Sequence, residues 1–301
     1  MLEITDSMRN GKIYDGTTLK FGVTIADKDY IVKLGTADLS VYSEHIASSI
    51  IRYKLHIPCH KTELGTYKGN PVCVLQDFTT PTAALHTFKD TKQSSEDTDL
   101  ADKEYTYQDV LYLIDKHLKL DEQTKKKAKE QFWDMYIADA ILGNRDRHWG
   151  NWGFLTNGKT YTPAPLFDNG ASLFPGVLSV ISEFQDNTAR YAFLKQRVEV
   201  FPASLLCIRR PDRCYRTNYK EIFSDLRKFP LLAERVREIQ RRVGTWQSLG
   251  LYVRDLCCAC GMSVVLIKFY IEIVCLRYKV IVLREPFDKA YAQVEEFVWG
   301  K

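Results

Sequence analysis

Nine residues, Gly143 to Asn151, read GNRDRHWGN and follow directly on an apolar stretch. A run of Asn, Arg, Asp, Arg, His and Asn packs badly into a core, so it predicts a polar loop that handles something charged. Seventeen residues after Asn151 stands Asp168, in FDNG. The segment between them, WGFLTNGKTYTPAPLFDNG, predicts a hairpin: strands Trp152–Leu155 and Tyr161–Phe167 around an Asn157-Gly158 turn. Hairpin ends come back side by side, so Asn151 and Asp168 converge. An Asn and an Asp that meet with oxygen atoms suit Mg2+, a hard cation that takes a few protein oxygens plus phosphate oxygens. A second carboxylate nearby, Asp146, could orient a hydroxyl and accept its proton. This is the set by which kinases transfer a γ-phosphoryl group from ATP. His148 and either Arg145 or Arg147 would bring positive charge against the developing phosphate charge.

Such a site needs a second set of elements to hold the nucleotide, and the first 78 residues predict them. Residues 12–34 predict β-structure with turns at Asp15-Gly16 and at Ala26 to Asp29. Residues 41–55 carry apolar side chains at helical spacing, with Ser40 or Asp38 as cap. Two more strands are expected in KTELGTYKG and NPVCVLQDF. Lys33, in YIVKL, has apolar neighbours on both sides, and an inward lysine is costly unless paired. Glu44 lies on the one helix of this half, where it can pair with Lys33 and so hold the α- and β-phosphates. The Gly16 turn falls where a loop would cover the phosphates. Gln76 and Phe78 end the last strand, where a hinge would meet adenine.

Beyond the hinge the chain predicts helices at 107–120, 125–142, 219–242 and 262–283, the last being β-branched enough to pass for strand. Residues 89–105 have almost no apolar content and predict a surface loop. The expected architecture is therefore α+β and bilobal: a β-rich N-lobe over 1–78 with one helix, and a larger, mainly helical C-lobe over 79–301.

Composition sets the outer bounds. Of 301 residues, 45% are hydrophobic and 27% charged, which excludes disordered and fibrous classes. Net charge is +4, from 42 basic and 38 acidic residues, too mild to argue nucleic-acid binding. The N-terminal residues carry no apolar signal region, and LCCACGMSVVLI is too short to span a bilayer, so a cytoplasmic protein with no membrane span is expected. A signal-independent export route would leave no mark. Cys257 and Cys260 have C-x-x-C spacing without a second ligand pair, so the cysteines predict buried apolar residues rather than zinc. His56 and His60, at i,i+4, predict a surface pair.

The segments YIVKLG, YSEHIA, ELGTYKG, LQDFTT, FWDMYIADAILGN, DRHWGNWGFL and APLFDNGASLFP together resemble the HipA-like kinases, whose catalytic loop reads Asn-x-Asp-x-His-x-x-Asn ahead of a short hairpin and a metal-binding Asp. Within that group the chain is most similar to the small, cell-translocating members. The Asp-Arg-His-x-x-Asn form is shared with phosphatidylinositol-kinase-like enzymes. The resemblance covers residues 12–175 well. It implies a protein-kinase-like fold and an ATP- and Mg2+-dependent Ser/Thr kinase that often autophosphorylates, with a protein substrate. By position, Asp146 would be catalytic, Asn151 and Asp168 would bind metal, and Lys33 and Glu44 would position ATP. Thr17, Thr18, Ser94 and Ser95 are candidate acceptors. Full-length HipA has a further N-terminal domain that touches its antitoxin. No stretch here is expected to form it, so neither an antitoxin partner nor DNA binding follows. The same residues would serve a lipid or small-molecule phosphotransferase, or a nucleotide-binding pseudokinase.

Overall fold

A computed structural model describes residues 2–14, 18–35, 38–93, 106–116, 120–200, 203–209 and 214–300. The Asp15-Gly16 turn and the candidate acceptors Thr17, Ser94 and Ser95 lie outside the described residues; Thr18 is exposed.

The N-terminal region is a five-stranded sheet in the order β1-β4-β5-β3-β2, formed by β1 (Leu2–Ile4), β2 (Lys20–Ile25), β3 (Lys28–Leu34), β4 (Thr62–Tyr67) and β5 (Asn70–Gln76). Only β1 runs parallel to its neighbour. Regular pairing in the predicted 12–34 segment begins at Lys20. The β2–β3 turn places Ala26 and Asp27 at φ +46° and +58°, and the β4–β5 turn places Lys68 and Gly69 at +51° and +78°. Two successive left-handed residues give the turn twist that right-twisted strands require.

Strand alternation sorts β3 into two faces. Val32 joins Ile4, Val23, Tyr67, Val72 and Val74 in a small core on one face. Ile31 packs on the other, with Val41, Cys73 and Leu75. Lys33 shares this second face, in register with Cys73 and beneath α1 (Ser40–Ser49). Asp38 Oδ1 accepts from the Ser40 N–H at the start of α1. The helix then widens into a π turn at Ile50–Lys54, whose Ile50 and Ile51 are fully buried.

The C-terminal part is mostly helical. β6 (Ala84–Thr87) leads into α2 (Phe88–Gln93), so the predicted 89–105 loop begins as helix. Phe88 explains this: it stacks on Trp152 at 4.3 Å and is completely buried, an anchor that the polar residues after it conceal in sequence. Next come α3 (Tyr107–Lys116) and the central α4 (Glu122–Leu142). Asp121 caps α4 by accepting from Thr124 N–H at 2.6 Å. The basic first half of α4 is largely exposed, while Phe132 to Leu142 is buried on every side. The helix stops at Gly143, which adopts φ +67° and donates its N–H to Asp139 O. No Cβ would fit there, since one would lie 2.9 Å from the Phe174 ring.

The hairpin after the polar loop is β7 (Gly153–Thr156) and β8 (Tyr161–Pro163), with β6 completing a three-stranded sheet. Beyond it lie α5 (Asn187–Glu199), β9 (Ala203–Arg209), β10 (Cys214–Asn218), α6 (Tyr219–Ser224), α7 (Pro230–Val243), α8 (Trp246–Ala259), α9 (Val264–Arg277) and α10 (Phe287–Trp299). The helix predicted over 219–242 is thus two helices. Pro230 has no N–H to continue a helix and suits the first position of a new one. The β-branched 262–283 segment is helical, with a π turn at Tyr278–Val282. Every residue from Phe269 to Val282 is buried, so propensity yields to packing. One large core runs through α4, α7, α8, α9 and α10 and reaches α1 through Ile46, Ile50 and Leu55. Cys257, Cys260 and Cys275 are buried in it, whereas Cys258 is exposed. Among the described residues no helix is long and apolar enough to cross a membrane.

Candidate active site

Lys33 is the meeting point of the two halves. Its Nζ donates to Glu44 Oε2 and to Asp168 Oδ1, both at 2.6 Å. Burial works against the ammonium charge, but Glu44 and then Asp168 outweigh it and hold Lys33 well above the ordinary lysine range. Glu44 is 1% exposed. Burial would favour its neutral form, yet Lys33 and His60 together hold it far below the usual carboxylate range.

His60 belongs to this site, which corrects its expected place on the surface. It is buried, with Nε2 3.1 Å from Glu44 Oε1 and 2.8 Å from Ser48 Oγ. His56 is the exposed member of the pair, at φ +52°. The i,i+4 spacing suggests a shared helical face, but Pro58 lies in a non-helical stretch between α1 and β4, so the two side chains part.

Asp168 also adopts a left-handed conformation, φ +59°, uncommon for a residue with a Cβ. Its neighbour Asn169 fixes it. The Asn169 N–H donates to Glu44 Oε1 at 2.8 Å. Its side-chain Nδ2 donates to Ser48 Oγ at 3.0 Å and Cys59 Sγ at 3.4 Å. Its Oδ1 accepts from Arg147 Nη2 at 2.7 Å. Burial pushes the Cys59 thiol up to about 12, so it serves here as a neutral partner.

Arg147 is 2% exposed and wholly engaged. It makes a two-pronged pair with Asp139 on α4, both contacts at 3.0 Å, and donates to the carbonyls of Asn151 and Phe167. Arg147 therefore ties the loop to α4 and to the FDNG segment, and its charge is not offered to a ligand. Asn151 Nδ2 donates to Asp146 O at 3.1 Å, and Asp146 N–H to Asn144 Oδ1 at 3.0 Å. The Asp146 side chain is exposed. His148 is exposed too, its Nδ1 accepting from Gly150 N–H. Arg145 is exposed.

At the chain connection between the halves, Gln76 N–H donates to Lys61 O and Asp77 N–H to Asp29 O. Asp77 Oδ2 accepts from Tyr14 and Lys12, while Oδ1 turns the chain by accepting from Thr79. The Phe78 ring lies 5.7 Å from that of Phe167, the residue before Asp168. Gly16 is outside the described residues. The structure thus brings Lys33, Glu44 and Asp168 into direct contact and joins Asp146 to Asn151 through the loop. His60, Asn169 and the pairing of Arg147 with Asp139 are the parts the sequence reading missed. The N in FDNG was the one available signal.

The oxygens on offer fit a magnesium–nucleotide. Asn151 commits its amide nitrogen to the loop and keeps Oδ1 as an acceptor, and Asp168 is part-exposed with Oδ2 beyond its contact to Lys33. Two hard oxygens leave room for the phosphate and water oxygens that Mg2+ prefers.

A family model described as the HipA-like C-terminal domain matches residues 14–243. The serine/threonine-protein kinase CtkA of Helicobacter pylori strain J99 is 36% identical over 185 residues, 61% of this chain and 54% of that protein. The matched region therefore spans about half the length of that curated relative. A crystal structure of the H. pylori proinflammatory kinase CtkA superposes with a TM-score of 0.76 at 29% identity, covering 92% of this chain and 94% of that one. HipA of Shewanella oneidensis MR-1, solved with HipB and operator DNA, gives a TM-score of 0.53 at 14% identity over 95% of this chain and 70% of that one, a likeness of fold alone.

Proposed function

The chain belongs to the HipA-like C-terminal domain family, and from that premise we propose that it is an ATP- and Mg2+-dependent Ser/Thr protein kinase that phosphorylates proteins and itself. The observation that carries this is Lys33, held at 2.6 Å by both a helix glutamate and the Asp of FDNG. In this reading residues 1–78 cover the nucleotide and residues 79–301 carry the catalytic loop and metal ligands. Asn151 and Asp168 would hold Mg2+, which supplies charge neutralisation on the phosphates when bound. Lys33 would grip the α- and β-phosphates, kept charged and aimed by Glu44. Gln76 and Phe78 would flank the adenine, and Gly16 would lie over the phosphates. Asp146 would orient the acceptor hydroxyl and take its proton as that oxygen bonds to phosphorus and the bond to ADP breaks. His148, exposed two residues on, would line the acceptor side.

Transfer of labelled γ-phosphate from Mg·ATP tests the reading. Wild-type protein should label itself or a test protein, and Asp146→Ala and Asp168→Ala should each lose at least about a hundredfold in rate. Binding of ATP without protein labelling would turn the assignment toward a small-molecule enzyme or a pseudokinase. No ATP binding would overturn the Lys33 assignment.

A further inference from the structure

A second concavity, which none of the candidate active-site residues lines, has a volume of about 620 Å3, within the size range of ligand clefts. It lies along the exposed side of α7, between the single turn Leu226–Lys228 that precedes this helix and Arg284, just past the π turn that ends α9. Pro230, Ala233, Val236, Arg237 and Gln240 recur at helical spacing, so they form one stripe of α7. The floor is apolar, with Val236 buried and Leu226 and Ala233 half-buried. The rim is cationic, with Arg227, Arg237 and Arg284 all exposed. Among the described residues no acidic side chain lines it.

The other arginines of α7 are paired: Arg235 with Asp134 at 2.7 Å, and Arg241 and Arg242 with Glu238. Arg237 and Arg284, which line the groove, make no ion pair or hydrogen bond with any described residue. Arg227 holds Asp225 at 2.9 Å but keeps most of its surface in water. Arg284 follows the helix C-cap Leu283 with φ +61°, the position and conformation that glycine usually fills after a helix. The turn alone would favour glycine, and the arginine adds a charge at the rim. The start of α7 adds to the positive potential, because Phe229 gives no side-chain acceptor to the free N–H groups of the first turn.

Guanidinium forks suit carboxylates, and an apolar floor suits a side chain that carries no charge. All three guanidiniums are open to water, so each ion pair is weak and screened. A compact anion gains little there, whereas an extended chain engages several arginines at once and buries an apolar side chain as well. We propose that this groove docks an acidic stretch of a partner protein, with an apolar side chain on Leu226, Ala233 and Val236 and carboxylates on Arg237, Arg284 and Arg227. The inference does not depend on the kinase reading. Joined to it, the groove chooses which proteins are brought to the enzyme.

Fluorescence anisotropy with the full chain and a short labelled peptide, glutamates around a central leucine pair, tests it. The peptide should bind roughly tenfold tighter than the same peptide with Gln for Glu, as expected of two or three exposed ion pairs, and the margin should shrink as salt is raised. Replacing its leucines by serine should also weaken it. Arg237→Glu combined with Arg284→Glu should bring the Glu-to-Gln ratio to one. Arg284→Gly should weaken the Glu peptide without lowering the melting temperature, since glycine relieves the backbone while the charge is lost. A ratio near one in the wild type overturns the proposal, as does undiminished binding by the double variant. Equal binding of the serine-substituted peptide, or of a DNA duplex with the same arginine dependence, would leave only a basic surface. Displacement of the peptide by inorganic phosphate at low concentration would make the groove a compact-anion site. A dimer that Arg284→Glu dissociates would give it to a second copy.

Discussion

Glu44 accepts from Lys33, from the Asn169 backbone and from the His60 ring, on a side chain almost wholly out of water. A buried carboxylate survives ionised only while such donors stay in place, and losing one leaves a desolvated acceptor that costs about 1–3 kcal/mol. His60 should therefore act as a positioning residue for Lys33. His60→Ala is expected to raise the KM for ATP by roughly tenfold with a smaller change in kcat, and His60→Gln, which keeps a donor, should recover much of the loss. Steady-state kinetics on both variants decide the point, since equal defects would mean that His60 only fills space. Type and spacing were enough to single out Lys33, Glu44, Asp146, Asn151 and Asp168 as candidates, and the contacts of Lys33 with Glu44 and Asp168 follow that reading. Their supports were not legible in this way. His60 and Arg147 owe their roles to which way a side chain points, and i,i+4 or i+1 spacing in a loop does not encode direction.

The hairpin of β7 and β8 links Asn151 at its start to Asp168 beyond its end, so its seating sets the distance between them. Gly153 lies under β6 so closely that a Cβ would stand 2.3 Å from His86 O and 2.6 Å from the Thr87 Cα. Both neighbours are backbone and cannot turn aside. Gly153→Ala should cost at least about 1–3 kcal/mol in denaturant unfolding and depress activity further by shifting Asn151. Gly158→Ala, at the open turn with φ +84°, should cost only about 1 kcal/mol and leave transfer near normal. If the two variants behave alike, the β6 contact does not hold the hairpin. The elements whose identity could be read were those with one wet face or a marked turn, such as the β4–β5 pair and this hairpin. α9 could not be read, because a helix buried on all sides shows no period and its valines and isoleucines then argue for strand. α2 was masked in the same way by its polar tail.

Across the whole molecule, burial of charge sets the response to pH. Glu272 on α9 accepts from Trp299 Nε1 at 2.8 Å and lies 3.4 Å from Arg190, while its Oε2 has no hydrogen-bond partner among the described residues. Burial raises its carboxyl to about 7, against the pull of Arg190. Between the ordinary glutamate range and about 7 the folded state holds a proton that the unfolded chain has released, so stability falls as pH rises through that window and levels off above it. Glu272→Gln should accordingly raise the melting temperature at pH 8 and change it little at pH 5. A shift of equal size at both pH values would mean that the proton is not held there.

The two-part architecture was readable in sequence because the β-rich and helix-rich halves differ in pattern. What joins them was not, since it is made by residues far apart in the chain. Arg242 on α7 donates to the carbonyls of Leu55 and His56, Lys54 to Ser248, and Tyr252 to Ser49 O. The end of α1 and the turn after it are thus bolted to the C-terminal helices, while the middle of α1 carries Glu44. The helix is tied to the C-terminal part at two points, through Glu44 to the Asn169 backbone and at its far end to α7 and α8. In an enzyme built this way the ion pair on Lys33 is part of the resting architecture, not a latch awaiting a signal. Output would then follow how much protein is made and which acceptors it meets.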